Sequence, residues 1–305
     1  VSGFKELATG LEFPEGPVAL ADGSVVVCEI HSGHVTRIWP DGRKTLVADI
    51  GGGPNGAALG PDGGLYVCNN GGLEFKRTRS GMLMSFMQAS PGYEGGSIQR
   101  IDLETGAVQT LYTHCGDIRL RGPNDIVFDR YGGFWFTDMG KVVGRMQHRG
   151  GVFYARTDGS QIREAVFPMY EPNGIGLSPD GRTLYVAETE TGRIYRYDVA
   201  APGQLAGAGK IGNFGALHCA LGGTFRCDSM AVDEAGNVCQ ANVGAGCISV
   251  VAPDGVLLEQ VAMPEPFVTN ICFGGPDRKT AFITLSGTGR LIAMPWPRPG
   301  LALAF

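Results

Sequence analysis

Short apolar runs alternate with glycine-rich turns along the chain, and six of the runs open in the same way. Each begins with a small or turn residue, then one polar residue, an apolar stretch, a turn and a second apolar stretch. The openings are Pro14-Glu15-Gly16, Pro54-Asn55-Gly56, Pro123-Asn124-Asp125, Pro172-Asn173-Gly174, Cys227-Asp228-Ser229 and Thr269-Asn270-Ile271. Seven residues beyond the polar position each unit reaches its turn: Asp22-Gly23, Asp62-Gly63, Tyr131-Gly132, Asp180-Gly181, Ala235-Gly236 and Asp277-Arg278. An offset kept in all six units marks a structural repeat.

After each turn comes a β-rich run, as at 24–28, 65–68, 133–137, 183–187 and 280–284. A third run often follows, as at 192–197, and a fourth closes the unit, as at 43–48 and 256–261. Four short strands per unit, with polar positions 40, 69, 49, 55 and 42 residues apart, predict an all-β chain. The expected architecture is a six-bladed β-propeller of four-stranded antiparallel blades around a central channel, one domain spanning 1–305. No segment holds a 3.6-residue period over a dozen residues, so helices are at most minor. A strand near 4–9 is expected to complete the last blade, with 301–305 as its competitor for that place.

The 69-residue interval reflects an insertion at 69–97 carrying Met82, Met84, Phe86 and Met87. A smaller insertion, 138–150, occupies the same slot of the third unit. Connections alternate ends in a four-stranded blade, so both loops emerge on the face where the polar positions lie. Long loops gathered on one face commonly carry function, and 69–97 is expected to act as a lid.

Composition fits this picture. The 49 Gly and 18 Pro lack a Gly-X-Y period and read as many tight turns. A net charge of −5 without blocks of like charge offers no surface for nucleic acid. No run of about 18 apolar residues indicates a membrane span. The first residues, Val1-Ser2-Gly3-Phe4-Lys5, lack the charged-then-apolar pattern of a signal peptide. Of eight Cys, none forms a Cys-x-x-Cys pair, so a zinc-thiolate site is not expected. Cys219 and Cys227 could bridge a short loop, but free thiols in a reducing cytoplasm are the expectation.

The chemistry lies at the polar positions. First strands line a propeller channel, so Glu15, Asn55, Asn124, Asn173, Asp228 and Asn270 are expected to converge at one mouth. Two carboxylates and several amide carbonyls supply oxygen ligands alone, a set suited to Ca²⁺ foremost, with Mg²⁺, Mn²⁺ or Zn²⁺ as alternatives. A lone Pro-Asn-Gly is usually just a turn, since Asn and Gly tolerate positive φ. Recurrence of Asn in one register beside Glu and Asp weakens that reading, because Ser or Gly would serve a turn equally well. Asp125 is expected to point the other way along its strand, in a structural role. There is no Gly-x-Ser-x-Gly elbow and no phosphate-binding Gly-x-x-x-x-Gly-Lys. The five His do not recur in register, although His148, with Arg145 and Arg149, lies in the smaller insertion near the mouth.

Phe13-Pro14-Glu15-Gly16-Pro17, Pro123-Asn124-Asp125, the run from Pro172 to Gly181, and Cys227-Asp228-Ser229-Met230 together resemble the gluconolactonase/regucalcin (senescence marker protein) family. The resemblance covers essentially the whole chain, and its fold is the six-bladed propeller. It implies metal ligation by Glu15, Asn173 and Asp228. Asn124 matches a substrate-contacting position that also ligates calcium in the related diisopropylfluorophosphatase propellers, and Asn270 resembles a channel position of those phosphatases. Regucalcin-like members carry an Arg two residues before that Asn, whereas here Arg121 stands three before it.

The function expected is metal-assisted opening of a small lactone or ester by water. Asp228 is the candidate general base or a ligand only, and Asn124, Asn55 and Asn270 are candidate substrate contacts, with Glu15, Asn124, Asn173 and Asp228 around the metal. The rivals are a phosphotriesterase-like hydrolase using the same ion, and a non-catalytic propeller that merely holds it.

Overall fold

The structure, a computed structural model, describes residues 3–207, 212–222 and 225–305. It is all-β: no helix occurs among the described residues, and so none is long and apolar enough to cross a membrane. The repeat read from the sequence becomes six antiparallel sheets on one plan. Their first strands are Pro14–Ala19, Pro54–Leu59, Pro123–Phe128, Pro172–Leu177, Arg226–Val232 and Val268–Gly274. Each pairs with the strand after the turn: Val25–Glu29, Leu65–Asn69, Gly133–Asp138, Thr183–Glu188, Val238–Val243 and Thr280–Leu285. Two further strands complete each sheet, with Gln204–Leu205 as an added fifth strand in the fourth, and in the last of them Lys5–Ala8 supplies the outer one, antiparallel to Arg290–Pro295. The competing segment 301–305 forms no strand.

Side-chain alternation explains why the second strands carry apolar residues on both faces. Val26 and Cys28 face a core shared with Leu65 and Val67 of the second sheet. Val25 and Val27 face the other way, onto Phe282 and Leu291 of the last. In the same manner Tyr66 and Cys68 meet Phe134 and Phe136, Trp135 meets Leu184 and Val186, and Tyr185 and Ala187 meet Val232 and Val238. A strand buried on both faces needs no polar side, and each such side chain contributes about 1.5–3 kcal/mol on burial. The fifth and sixth sheets share a cluster including Ile248, Val250, Ile271 and Ile283. Successive first strands lie side by side, and Val268–Gly274 lies against Pro14–Ala19.

The recurring turn offset has a side-chain cause. Asp22, Asp62, Asp180 and Asp277 each accept the backbone N–H two residues on, at 3.0–3.2 Å. In the third and fifth sheets Asp129 and Asp233 do this from just before the turn, accepting from Tyr131 and Gly133, and from Ala235 and Asn237. Such Asx bonds fix the turn and hence the register of the hairpin.

The two insertions do not form separate loops. Leu73–Arg77 and Leu83–Ala89 of the first, with Lys141–Val143 and Met146–His148 of the second, make one four-stranded sheet. The join is parallel, Val142 opposite Gln88. This sheet rests on the first sheet through Phe13, Ile30, Leu73 and Leu83, and Arg77 pairs with Glu12 at 2.6 Å.

All eight cysteines are free, including Cys219 and Cys227.

Candidate functional site

Every first strand carries a register shift at its polar position. The shifts fall at Glu15/Val18, Pro54/Ala57, Pro123/Ile126, Pro172/Ile175, Cys227/Met230 and Val268/Asn270. A β-bulge breaks strict alternation and re-aims the side chains beside it. Opening the strand with Pro at four of the six places suits a residue that owes no N–H to a ladder. In three of the six, close approach of the neighbouring first strand demands glycine next, at Gly16, Gly56 and Gly174. Gly16 has φ 51°, and a Cβ there would strike the Asn55 carbonyl; at Gly174 it would strike that of Asp228.

Five of the six polar residues are buried: Glu15, Asn55, Asn124, Asn173 and Asn270 are at most 5% exposed. Asp228 is partly exposed. Glu15 Oε2 accepts from its neighbour Gly16 N–H and from Asn270 Nδ2, both at 2.7 Å. Asn270 Oδ1 accepts from Ile271 N–H at 2.8 Å, so both ends of that amide are engaged. Asn173 Oδ1 lies 3.4 Å from the Ser229 hydroxyl. Asn124 Nδ2 faces Met139 Sδ at 3.3 Å, while its Oδ1 is buried with no donor facing it among the described residues. Two residues outside the sequence motif steady the backbone here. Thr137 Oγ1 donates to the Asn173 carbonyl at 2.6 Å, and Gln240 Nε2 to that of Asp228 at 2.7 Å.

Charge is concentrated at this place. Burial pushes Glu15 up to about 6, against hydrogen bonds from Asn270, Gly16 and Thr269. Asp228 is raised well above the carboxylate range by burial and then by the Glu15 charge, with the Asn173 amide pulling the other way. Asp125 is raised to about 7 by burial and again by Glu15. Strand alternation points Asp125 away from the site; the bulge between Pro123 and Ile126 instead leaves its carboxylate within electrostatic reach of both Glu15 and Asp228. Three mutually repelling carboxylates in a desolvated setting favour a counter-cation.

The side-chain chemistry fits a hard divalent ion. No group of three or more His, Cys, Asp or Glu side chains that could hold a metal is gathered among the described residues. A cation would therefore have to draw on amide oxygens, and the partnerless Asn124 Oδ1, at the head of its first strand, is such a donor. His148 and Arg149 are engaged elsewhere, His148 Nδ1 at 3.2 Å from the Lys141 carbonyl and Arg149 stacked 3.7 Å over Tyr170.

Comparison with known proteins finds relatives along nearly the whole chain. A lactonase drp35 of Staphylococcus saprophyticus is 29% identical over 79% of this chain and 67% of its own length. A gluconolactonase of Zymomonas mobilis is 26% identical over 92% of this chain and 78% of its own. A calcium-binding protein, regucalcin, from Agrobacterium tumefaciens superposes with a TM-score of 0.74 at 19% identity, covering 99% of this chain and 98% of that one. The family model for the SMP-30/gluconolactonase/LRE-like region matches residues 13–287, which include all six polar positions. With its repeats, its bulged first strands and this match across nearly its whole length, the chain belongs to the SMP-30/gluconolactonase/LRE-like family.

Proposed function

We propose that the chain is a metal-dependent lactonase, and that its six sheets are the blades of one closed propeller forming a single domain over 1–305. The ring reading is supported by the apolar clusters lying between consecutive sheets and between the last and the first. The observation that carries the functional reading is the meeting of Glu15 and Asp228 with amide oxygens at the strand heads, one of them, on Asn124, left without a partner. The names of the Staphylococcus and Zymomonas relatives support a lactone as substrate.

Glu15, Asn124, Asn173 and Asp228 would hold the ion, calcium by the all-oxygen chemistry and by the description of the Agrobacterium relative. When bound, the cation supplies Lewis-acid polarisation of the lactone carbonyl and charge balance for the developing oxyanion. Asp228 accepts the proton of the attacking water at its carboxylate. Asn124 and Asn55 orient the ring ester, while Asn270 holds Glu15 in place through its 2.7 Å bond. The insertion sheet, with Met82 and Met87, limits water above the site.

The test is a screen of metal-loaded protein against sugar, aliphatic and aromatic lactones beside a phosphotriester. Chelator-sensitive ring opening supports the proposal. Turnover of the phosphotriester alone would move the assignment to that rival, and no turnover of any would leave a binding platform.

A further inference from the structure

Lys141 holds a position that its charge makes costly. It is 4% exposed, and among the described residues no carboxylate lies within salt-bridge distance of it. Its Nζ donates to the Asn70 carbonyl at 2.6 Å, lies 3.5 Å from Asn70 Oδ1 and sits 4.9 Å from the centre of the Tyr93 ring. The nearby Asp138 is committed to the backbone N–H groups of Arg121, Gly122 and Gly140. Burial lowers Lys141 to about 7, with the Asp138 charge opposing.

Asn70 adds a second donor without an acceptor. Its Oδ1 accepts from Gly72 N–H at 2.8 Å, which fixes the amide orientation. The remaining Nδ2 is fully buried and has no partner among the described residues. An ammonium with protons to spare and an orphaned amide N–H therefore lie side by side.

Lys141 also lines a cavity of about 10 Å³, the room of one water, with Leu73 and Met87 from the larger insertion and Met139, Gln147 and Glu171 around it. Glu171 also lines it and accepts from Gln147 Nε2 at 3.0 Å. Met139 is the residue against which the Asn124 amide packs, so the cavity adjoins the strand heads. Two flexible thioethers, Met87 and Met139, line it, so a group larger than water would require their side chains to turn aside.

We propose that Lys141 and Asn70 form a subsite for an anionic oxygen group, a carboxylate or sulfonate carried by the substrate away from the ester bond that breaks. The preferred substrates are then acidic lactones, and this assignment of substrate class rests on the lactonase reading. A desolvated ammonium pairs strongly with an anion and leaves a neutral ligand's complex with an unmatched charge, which is how such a site discriminates.

The test compares metal-loaded wild type with Lys141→Met, an apolar replacement of similar length that removes a buried charge and so keeps the fold, checked by circular dichroism. The readout is the ratio of kcat/KM for a carboxylate-bearing lactone over its neutral parent. The wild-type ratio is expected to exceed about 10 and to fall at least about tenfold in Lys141→Met, chiefly through KM. Lys141→Arg, which keeps the charge, should retain part of it. In parallel, sulfate is titrated and Tm followed, with stabilisation expected in wild type and lost in Lys141→Met. Equal ratios in the two proteins, or equal sulfate shifts, would overturn the subsite. Failure of wild type to open either lactone would count against the lactonase reading, while the sulfate titration would still decide the subsite.

Discussion

The side-chain amide of Asn270 donates a 2.7 Å hydrogen bond to Glu15 Oε2, joining residues 255 positions apart in the chain. It ties the first strand of the last sheet to that of the first, inside the candidate site. The same bond pulls the Glu15 pKa down against burial. One bond thus serves both the site's electrostatics and the contact between the first and last sheets.

Replacing Asn270 by Ala removes that donor from a buried carboxylate. A loss of about 1–3 kcal/mol is expected, the scale for a buried group left unsatisfied, measured by urea unfolding of the metal-free protein. Added calcium should recover part of it by giving Glu15 another partner. A stability equal to wild type would show the bond to be idle.

Asp228→Asn and Asn173→Asp separate ligand from base. The first keeps an oxygen and the shape but removes charge and basicity; kcat should stay about 10²–10⁴-fold down even at saturating metal. The second adds negative charge, so it should bind metal at least as tightly yet turn over slowly. Near-normal kcat in metal-saturated Asp228→Asn would remove Asp228 from the proton transfer.

The pH dependence has a definite sign. Glu15 and Asp125 rise in the folded chain from 4.5 and 3.8 to about 6 and about 7. The folded state then binds protons that the unfolded chain has already released, so their contribution is full below about pH 4 and lost as pH rises to about 7. A bound cation replaces those protons. The gain in Tm on adding calcium should therefore grow between about pH 4 and 7, and a gain constant over that range would contradict the assignment. Chelation at pH 7 should abolish turnover while far-ultraviolet circular dichroism keeps its β signature.

Replacing 73–89 by a short Gly-Ser link should raise KM or change substrate preference far more than it lowers Tm. The hairpin lies outside the six sheets, and its main apolar seat is the small cluster around Phe13 and Ile30. A large fall in Tm with unchanged specificity would make it a structural brace.

The repeat was legible because its cause is local. An Asp that bonds the N–H two residues on writes the turn into the sequence, and a second strand buried on both faces writes an unbroken apolar run. The six polar positions were legible for the same reason, as was the outer strand supplied near residues 4–9, found at Lys5–Ala8. The electrostatic reach of Asp125 to Glu15 was not legible, because it depends on a bulge set by the partner strand's register. Lys141 gave no signal at all. A single Lys in a turn-rich insertion looks solvated until the larger insertion, through Asn70 and Tyr93, is placed over it. Thr137 was hidden in the same way, since it supports a backbone carbonyl 36 residues away, while Gln240 reaches one across its own hairpin.

The pairing of Val142 with Gln88 has a bearing on how chains of this kind diversify. Two loops that arose in different repeats have become one object, each supplying the other's missing edge. A loop transplanted alone would arrive with exposed backbone donors and acceptors, an invitation to association with other chains. Lengthening one arm leaves the other without a partner of matching length. Remodelling of this insertion sheet is therefore expected to need coordinated changes in both arms.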